Sequence, residues 1–234
     1  MSVLLIRLAG PMQSWGVESR FKFRDTGREP SKSGVVGLLC AAMGRRREEP
    51  VDDLAELFMG VRADFEGVVK KDFHTAQEVV MAHGGIKKHP EVSQRYYLAD
   101  ADFLVALEGE GPLLGEVSKA LKTPVFQVYL GRKAFVPGVP VWVPDGLIEG
   151  DSAMEALKGY PWPRARKSVP REGDRPSQLR FILDAEPGTS FDSREDLPMG
   201  CAFQDRLFLT RYVRTEFHEL GSVVPVREVE DVPI

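Results

Sequence analysis

A capped helix with glycine along one side is the feature that most restricts this chain. Pro30 and Ser31 precede the run KSGVVGLLCAAM, which closes on Gly44. A serine side chain caps by accepting an early N–H, proline fits a first turn, and glycine ends a helix in the left-handed region. The spacing therefore predicts a helix over residues 32–43. At 100° per residue, Gly34, Gly37, Ala41 and Gly44 fall within an arc of about 80°. Each interior glycine costs about 1 kcal/mol relative to alanine, so such a stripe needs a reason. From Gly37 to Gly44 it offers only smoothness, which reads as close packing. At the front, unpaired N–H groups and the donors of Ser31, Lys32 and Ser33 describe an anion site suited to phosphate. Gly34 lies at the boundary and serves either.

Charge sharpens the front half. Residues 20–47 hold eight basic side chains, Arg20, Lys22, Arg24, Arg28, Lys32, Arg45, Arg46 and Arg47, against Asp25 and Glu29. Eight minus two is +6, so with a net charge of −4 the rest of the 234-residue chain carries −10. The whole is not a basic nucleic-acid binder, but the strip is either a binding footprint or a solvated charged face. No apolar stretch approaches the roughly 18 residues of a membrane span. SVLLIRLA at the start reads as a buried strand and not as a signal peptide. Cys40 and Cys201, far apart in apolar contexts, read as buried thiols of a cytosolic protein.

The order of patterns gives the fold. Strand 2–9, helix 32–43, strand-like 61–79, strand 99–109, helix 111–124 and strand 125–131 form a βαββαβ ferredoxin-like unit, with a short helix over VDDLAELFMG, 51–60, inserted. GPMQSWG, 10–16, is a loop and 18–25 is extended. AHGGIKKHPEVSQRYY, 82–97, has two glycines, a proline and a basic cluster, and reads as a long protruding loop or hairpin. QLRFILDA and DRLFLTRYVRTEFHEL supply strands of a β-rich remainder, and 159–177 is a proline-rich surface loop. The expected division is 1–131 and 132–234.

Candidate chemistry follows the loops. Met12, Gln13 and Trp15 stand in GPMQSWG, where Trp15 is either a base-stacking platform or core. Lys87, Lys88, His89 and Arg95, followed by Tyr96 and Tyr97, suit single-stranded RNA. The catalytic version of the same region is metal-independent RNA cleavage by His89 and Lys88 with His74. His83 and His89 lack a third ligand nearby, so no metal or other cofactor is expected.

LIRLAGPMQSWG, TGREPSKSGVVGLLCAAMG, VSQRYYLADADFLVAL and LKTPVFQVYLGRK, in this order, closely resemble the Cas-five family of CRISPR repeat-associated RNA-binding proteins, in the form found in type I-E Cascade complexes. The resemblance is specific over residues 1 to about 140. It implies an α+β fold: a modified, RNA-recognition-like ferredoxin domain, a projecting β-hairpin thumb at about 78–96 and a smaller β-rich C-terminal part. It implies a cytoplasmic, non-catalytic subunit that holds the 5′ handle of crRNA. Its partners would be the Cascade backbone and large subunits, with target DNA met only through the complex. Carried onto this chain, the RNA-binding residues are Met12, Gln13, Trp15, Arg24, Thr26, Arg28, Ser31, Lys32, Ser33, Gly34, Lys87, Lys88, His89, Arg95 and Arg132. A crRNA-cutting branch of the family uses a Tyr, Lys and His set. Where that branch places its tyrosine, this helix has Leu38, Leu39 and Cys40, so catalysis is not expected.

Overall fold

The computed structural model describes residues 1–17, 22–87, 89–163, 176–186, 188, 192–200 and 207–222. In chain order the elements are β1 (Ser2–Ala9), β2 (Met12–Gln13), β3 (Phe23–Arg24), α1 (Lys32–Met43), α2 (Asp52–Ala55), β4 (Phe58–Phe65), β5 (Val68–Ala76), β6 (Glu91–Ala99), β7 (Asp102–Gly109), α3 (Gly111–Lys122), β8 (Trp142–Glu149), α4 (Ala153–Gly159), β9 (Gln178–Ala185), β10 (Asp192–Met199) and β11 (Leu207–Glu219). The fold is mixed α+β and mostly antiparallel. Seven strands form one sheet in the order β10-β11-β9-β4-β7-β1-β8, every neighbouring pair antiparallel.

Both faces of this sheet are covered, which is why β1 is apolar on both sides from Val3 to Ile6 instead of alternating. Leu4, Ile6 and Leu8 pack with Val35, Leu39 and Val117 of α1 and α3. Val3 and Leu5 face the other way, onto Ala153, Ala156 and Leu157 of α4. Helix α1 has the predicted limits. The Ser31 side chain accepts the Gly34 N–H, and Gly44 adopts φ 76° while its N–H donates to the Ala41 carbonyl. A Cβ on Gly44 would lie 2.9 Å from Val125, so this end of the stripe is a packing joint.

A second, smaller sheet runs β2-β6-β3, with β5 on the other edge of β6. β5 and β6 pair from Val68↔Ala99 to Ala76↔Glu91. The expected hairpin at 78–96 is therefore the outer part of a longer one, and strand 61–79 is two strands, β4 and β5. Within 82–97 the loop ends at Glu91, where β6 begins.

Two expected elements are corrected. The helix over 51–60 is only Asp52–Ala55, and Gly60 lies inside β4 between Ala106 and Leu183. A Cβ there would meet Leu183 at 2.9 Å and Leu157 at 3.0 Å, so sheet-on-helix packing, not helix termination, requires this glycine. VFQVYLG is not a strand. Its Val125 and Phe126 N–H groups donate to the Ala42 and Ala41 carbonyls at the end of α1, and β8 occupies the place beside β1. Strands from both sides of position 131 thus share one sheet. The proline-rich segment 164–175 and Cys201 lie outside the described residues; Cys40 is half-buried. Among the described residues, no helix is long and apolar enough to cross a membrane.

Candidate nucleic-acid interface

The start of α1 is already occupied by protein. The Lys32 N–H donates to Asp196 Oδ2 at 2.7 Å, and the Gly34 N–H to Ser31. The Lys32 ammonium points inward and bonds Asp184 Oδ2 at 2.7 Å, with Lys32 buried and Asp184 partly so. Burial lowers its pKa, and Asp184 opposes that shift. Arg211 bridges Asp184 and Asp196 from β11. The carboxylate expected of a ligand at this helix N-terminus is therefore supplied by β10, and Lys32 is corrected from a phosphate contact to part of a buried ion-pair network. Asp184, Asp196 and Arg211 carried no local signal in the sequence, because they reach α1 from more than 150 residues away.

Loop 10–16 is also turned inward. Gln13 is fully buried and its amide donates to the Leu8 and Ala101 carbonyls. The Trp15 indole N–H donates to Gln13 Oε1 at 3.0 Å, and the ring is 1% exposed. A Cβ on Gly34 would lie 2.8 Å from Trp15 Cε3. Gln13 and Trp15 are thus corrected to core residues, and Gly34 makes room for the indole. Thr26 accepts the Trp15 N–H and ties this loop to the segment before α1. Met12 is exposed in β2.

Above this packed floor lies a cleft of about 530 Å³, lined among others by Ser31, Ser33, Gly34 and Gly37 of the α1 region. Arg24 of β3, Arg95 of β6 and Arg132 all reach it, with Asp25 the one acid among the described lining residues. Arg24 and Arg95 are direct register partners on adjacent parallel strands, and Asp72 of β5 is the partner of Arg95 on its other side. Arg132 Nη2 donates to the Arg24 carbonyl at 3.2 Å and the Asp25 carbonyl at 3.4 Å. Its guanidinium lies 5.6 Å from the Phe135 ring centroid, and Phe135 in turn meets Tyr97 of the hairpin. Burial lowers the Arg132 pKa, and Arg95 and Arg24 push it further the same way. Among the described residues none of the three arginines is ion-paired with a carboxylate. Gly131 makes the approach possible: φ is +83°, and a Cβ would sit 1.7 Å from the Ser14 carbonyl oxygen.

The basic strip thus separates by partner. Lys22 pairs with Glu91, Lys32 with Asp184, and Arg45 with Asp53. Arg28 is exposed, its carbonyl held by Arg180. On the hairpin, Lys87 also pairs with Glu91, His89 and His74 are exposed, and Lys88 lies outside the described residues. Of the described hairpin candidates, Arg95 alone lines the cleft. Tyr129, Gly37, Gly131 and Phe208 line it too and were not singled out as binding residues. The glycine before Arg132 was the one legible hint.

The family described as CRISPR-associated protein (Cas_Cas5) matches residues 3–214. The chain belongs to that family. Among curated relatives, the CRISPR system Cascade subunit CasD of Escherichia coli (strain K12) is 33% identical over 202 residues, 80% of this chain and 88% of the relative. A solved structure titled "Crystal structure of Cas protein" has 46% identity and a TM-score of 0.74, covering 94% of this chain and 97% of its own. A chain of a "CRISPR RNA-guided surveillance complex" has 34% identity and a TM-score of 0.77, covering 97% and 95%. The family match takes in α1, the hairpin and all three arginines of the cleft.

Proposed function

We propose that this protein is a non-catalytic, crRNA-binding subunit of a Cascade-type CRISPR complex, anchoring the 5′ handle of the guide in the arginine cleft. The observation that carries the reading is the convergence of Arg24, Arg95 and Arg132 without ion-pair partners among the described residues, while Lys22, Lys32 and Arg45 of the same strip are paired. Planar guanidinium forks suit phosphate, and clustered like charge gains most when a polyanion arrives. The relative's name, Cascade subunit CasD, and the surveillance-complex neighbour support membership of a crRNA-guided assembly. In this reading β1-α1-β4-β7-α3-β8, with strand order β4-β7-β1-β8, is the modified ferredoxin-like core. The Val68–Ala99 hairpin is the thumb, which meets a backbone subunit. The protein acts in the cytoplasm and meets target DNA only through the complex.

The test is the salt dependence of binding to single-stranded repeat RNA. Replacing the three arginines by glutamine should reduce the log–log slope by about 0.7 for each phosphate no longer neutralised. A slope equal to wild type rejects the cleft as the RNA site. Catalysis is tested separately by incubating the protein with repeat RNA in EDTA. Intact RNA is expected, and cleavage abolished by His89→Ala would establish the ribonuclease instead.

A further inference from the structure

We propose that Glu29 is a positioning residue for Arg24: paired with Arg180 and Arg194, it clasps the segment between β3 and α1 and so fixes where the Arg24 guanidinium stands. This rests on the RNA-binding reading above and adds a residue that acts on it from outside the cleft.

Arg24 needs such support. Strand β3 is two residues long, and its ladder to β6 consists of Phe23↔Gln94 and Arg24↔Arg95. Residues 25–31 belong to no helix or strand. They form a strap held at three places. At its front, Arg132 donates to the Arg24 and Asp25 carbonyls. In its middle, the Gly27 N–H donates to the Trp15 carbonyl at 2.9 Å. At its rear, Arg180 of β9 donates from Nη2 to the Arg28 carbonyl at 3.2 Å and from Nη1 to Glu29 Oε2 at 3.0 Å. Arg194 of β10 closes on Glu29 Oε1 through Nε at 3.2 Å and Nη2 at 3.0 Å.

Glu29 is therefore where two strands of the large sheet take hold of the strap. Its side chain is 12% exposed and that of Arg180 15%, so this is not a solvated surface bridge of little worth. Removing its carboxylate leaves Arg180 with Glu66, which it binds at 2.7 and 2.8 Å, but takes both sheet contacts of the Glu29 side chain from the strap. Glu29 does not line the cleft, so it reaches a ligand there only through the residues it positions. It is also one of two acids among the eight basic side chains of residues 20–47. A carboxylate near a polyanion site opposes binding by its charge, and the clasp is the structural reason for it to be there.

That opposition gives the experiment its sign. It uses the full chain and a fluorescein-labelled single-stranded repeat RNA, read by anisotropy over a salt series, with hydrogen exchange of the free protein. By charge alone, Glu29→Gln should tighten RNA binding. Positioning predicts the reverse: affinity about tenfold lower, the order of one charge-assisted contact, and a log–log salt slope smaller by about 0.7. Adding Arg24→Gln should then cause no further loss, because both changes remove the same contact. Exchange at residues 25–28 should speed up while that of β1 stays at its wild-type rate. Glu66→Gln, which removes a carboxylate from Arg180 but none from the strap, should leave affinity and slope unchanged. Glu29→Asp keeps the charge but is one methylene short of spanning both arginines. It should weaken binding too, and it provides the comparison if near-ultraviolet circular dichroism shows Glu29→Gln misfolded. Wild-type or tighter binding by the Glu29 variants, or losses additive with Arg24→Gln, overturns the proposal. The RNA reading survives that result if replacing the three arginines still lowers the slope. An unchanged slope in the triple variant rejects both.

Discussion

Gly34 and Gly37 are one helical turn apart and should respond oppositely to the same methyl group. At Gly34 the added Cβ would be 2.8 Å from the Trp15 ring and 2.9 Å from Ser31 Oγ. Overpacking typically costs about 1–3 kcal/mol, more than the roughly 1 kcal/mol of helix propensity gained. Gly34→Ala should lower the melting temperature, and Gly37→Ala, facing open space, should raise it through helix propensity alone. Lys32 supplies a second contrast. Lys32→Met breaks a buried pair and should cost on the order of 3 kcal/mol in urea unfolding, while leaving the salt slope of RNA binding untouched. A lysine beside a helix start reads as a phosphate ligand in the sequence because its carboxylate partner, Asp184, lies 152 positions away.

At the scale of elements, caps and periodicity were legible, and the interruptions of strands were not. Helix α1 announced itself through Ser31 and Gly44, and α3 through Leu114, Val117 and Leu121, all buried. Strand β8 escaped because it contains Pro144, Asp145 and Gly146, which read as a turn. They form an irregularity where the register against β1 shifts between Leu4 and Ile6, with Asp145 at φ 54°. A Cβ on Gly146 would be 2.8 Å from the Leu5 carbonyl oxygen, so the local signal was correct and only its context differed. β4 allows a pH test. Burial raises the Asp64 pKa from 3.8 to about 6, although Arg62 pulls it down. The folded state then holds this proton more tightly than the unfolded chain, so the contribution is stabilising below about pH 4 and is lost as pH rises through about 6. The difference in urea midpoint between wild type and Asp64→Asn should fall across that window, and a flat difference would contradict it.

For the whole molecule, the strands after position 131 complete what precedes them. β8 covers the outer edge of β1, β9 pairs with β4, and α4 shields Val3, Leu5, Leu104 and Ala106. A chain ending at residue 131 should therefore show no cooperative urea transition by near-ultraviolet circular dichroism, since it exposes one face of its central strands and two sheet edges. Features with short-range signals are legible in the residues alone: the α1 cap, the apolar strands, the two long helices, the hairpin and the family resemblance. Which basic residues remain available for an anion was decided only by tertiary structure. Charge alone cannot distinguish Arg24 from Lys32. One meets Arg95 and Arg132 across a cleft, and the other meets buried carboxylates from distant strands. Pairing is a property of residues brought together by the sheet, and that proximity is absent from their spacing along the chain.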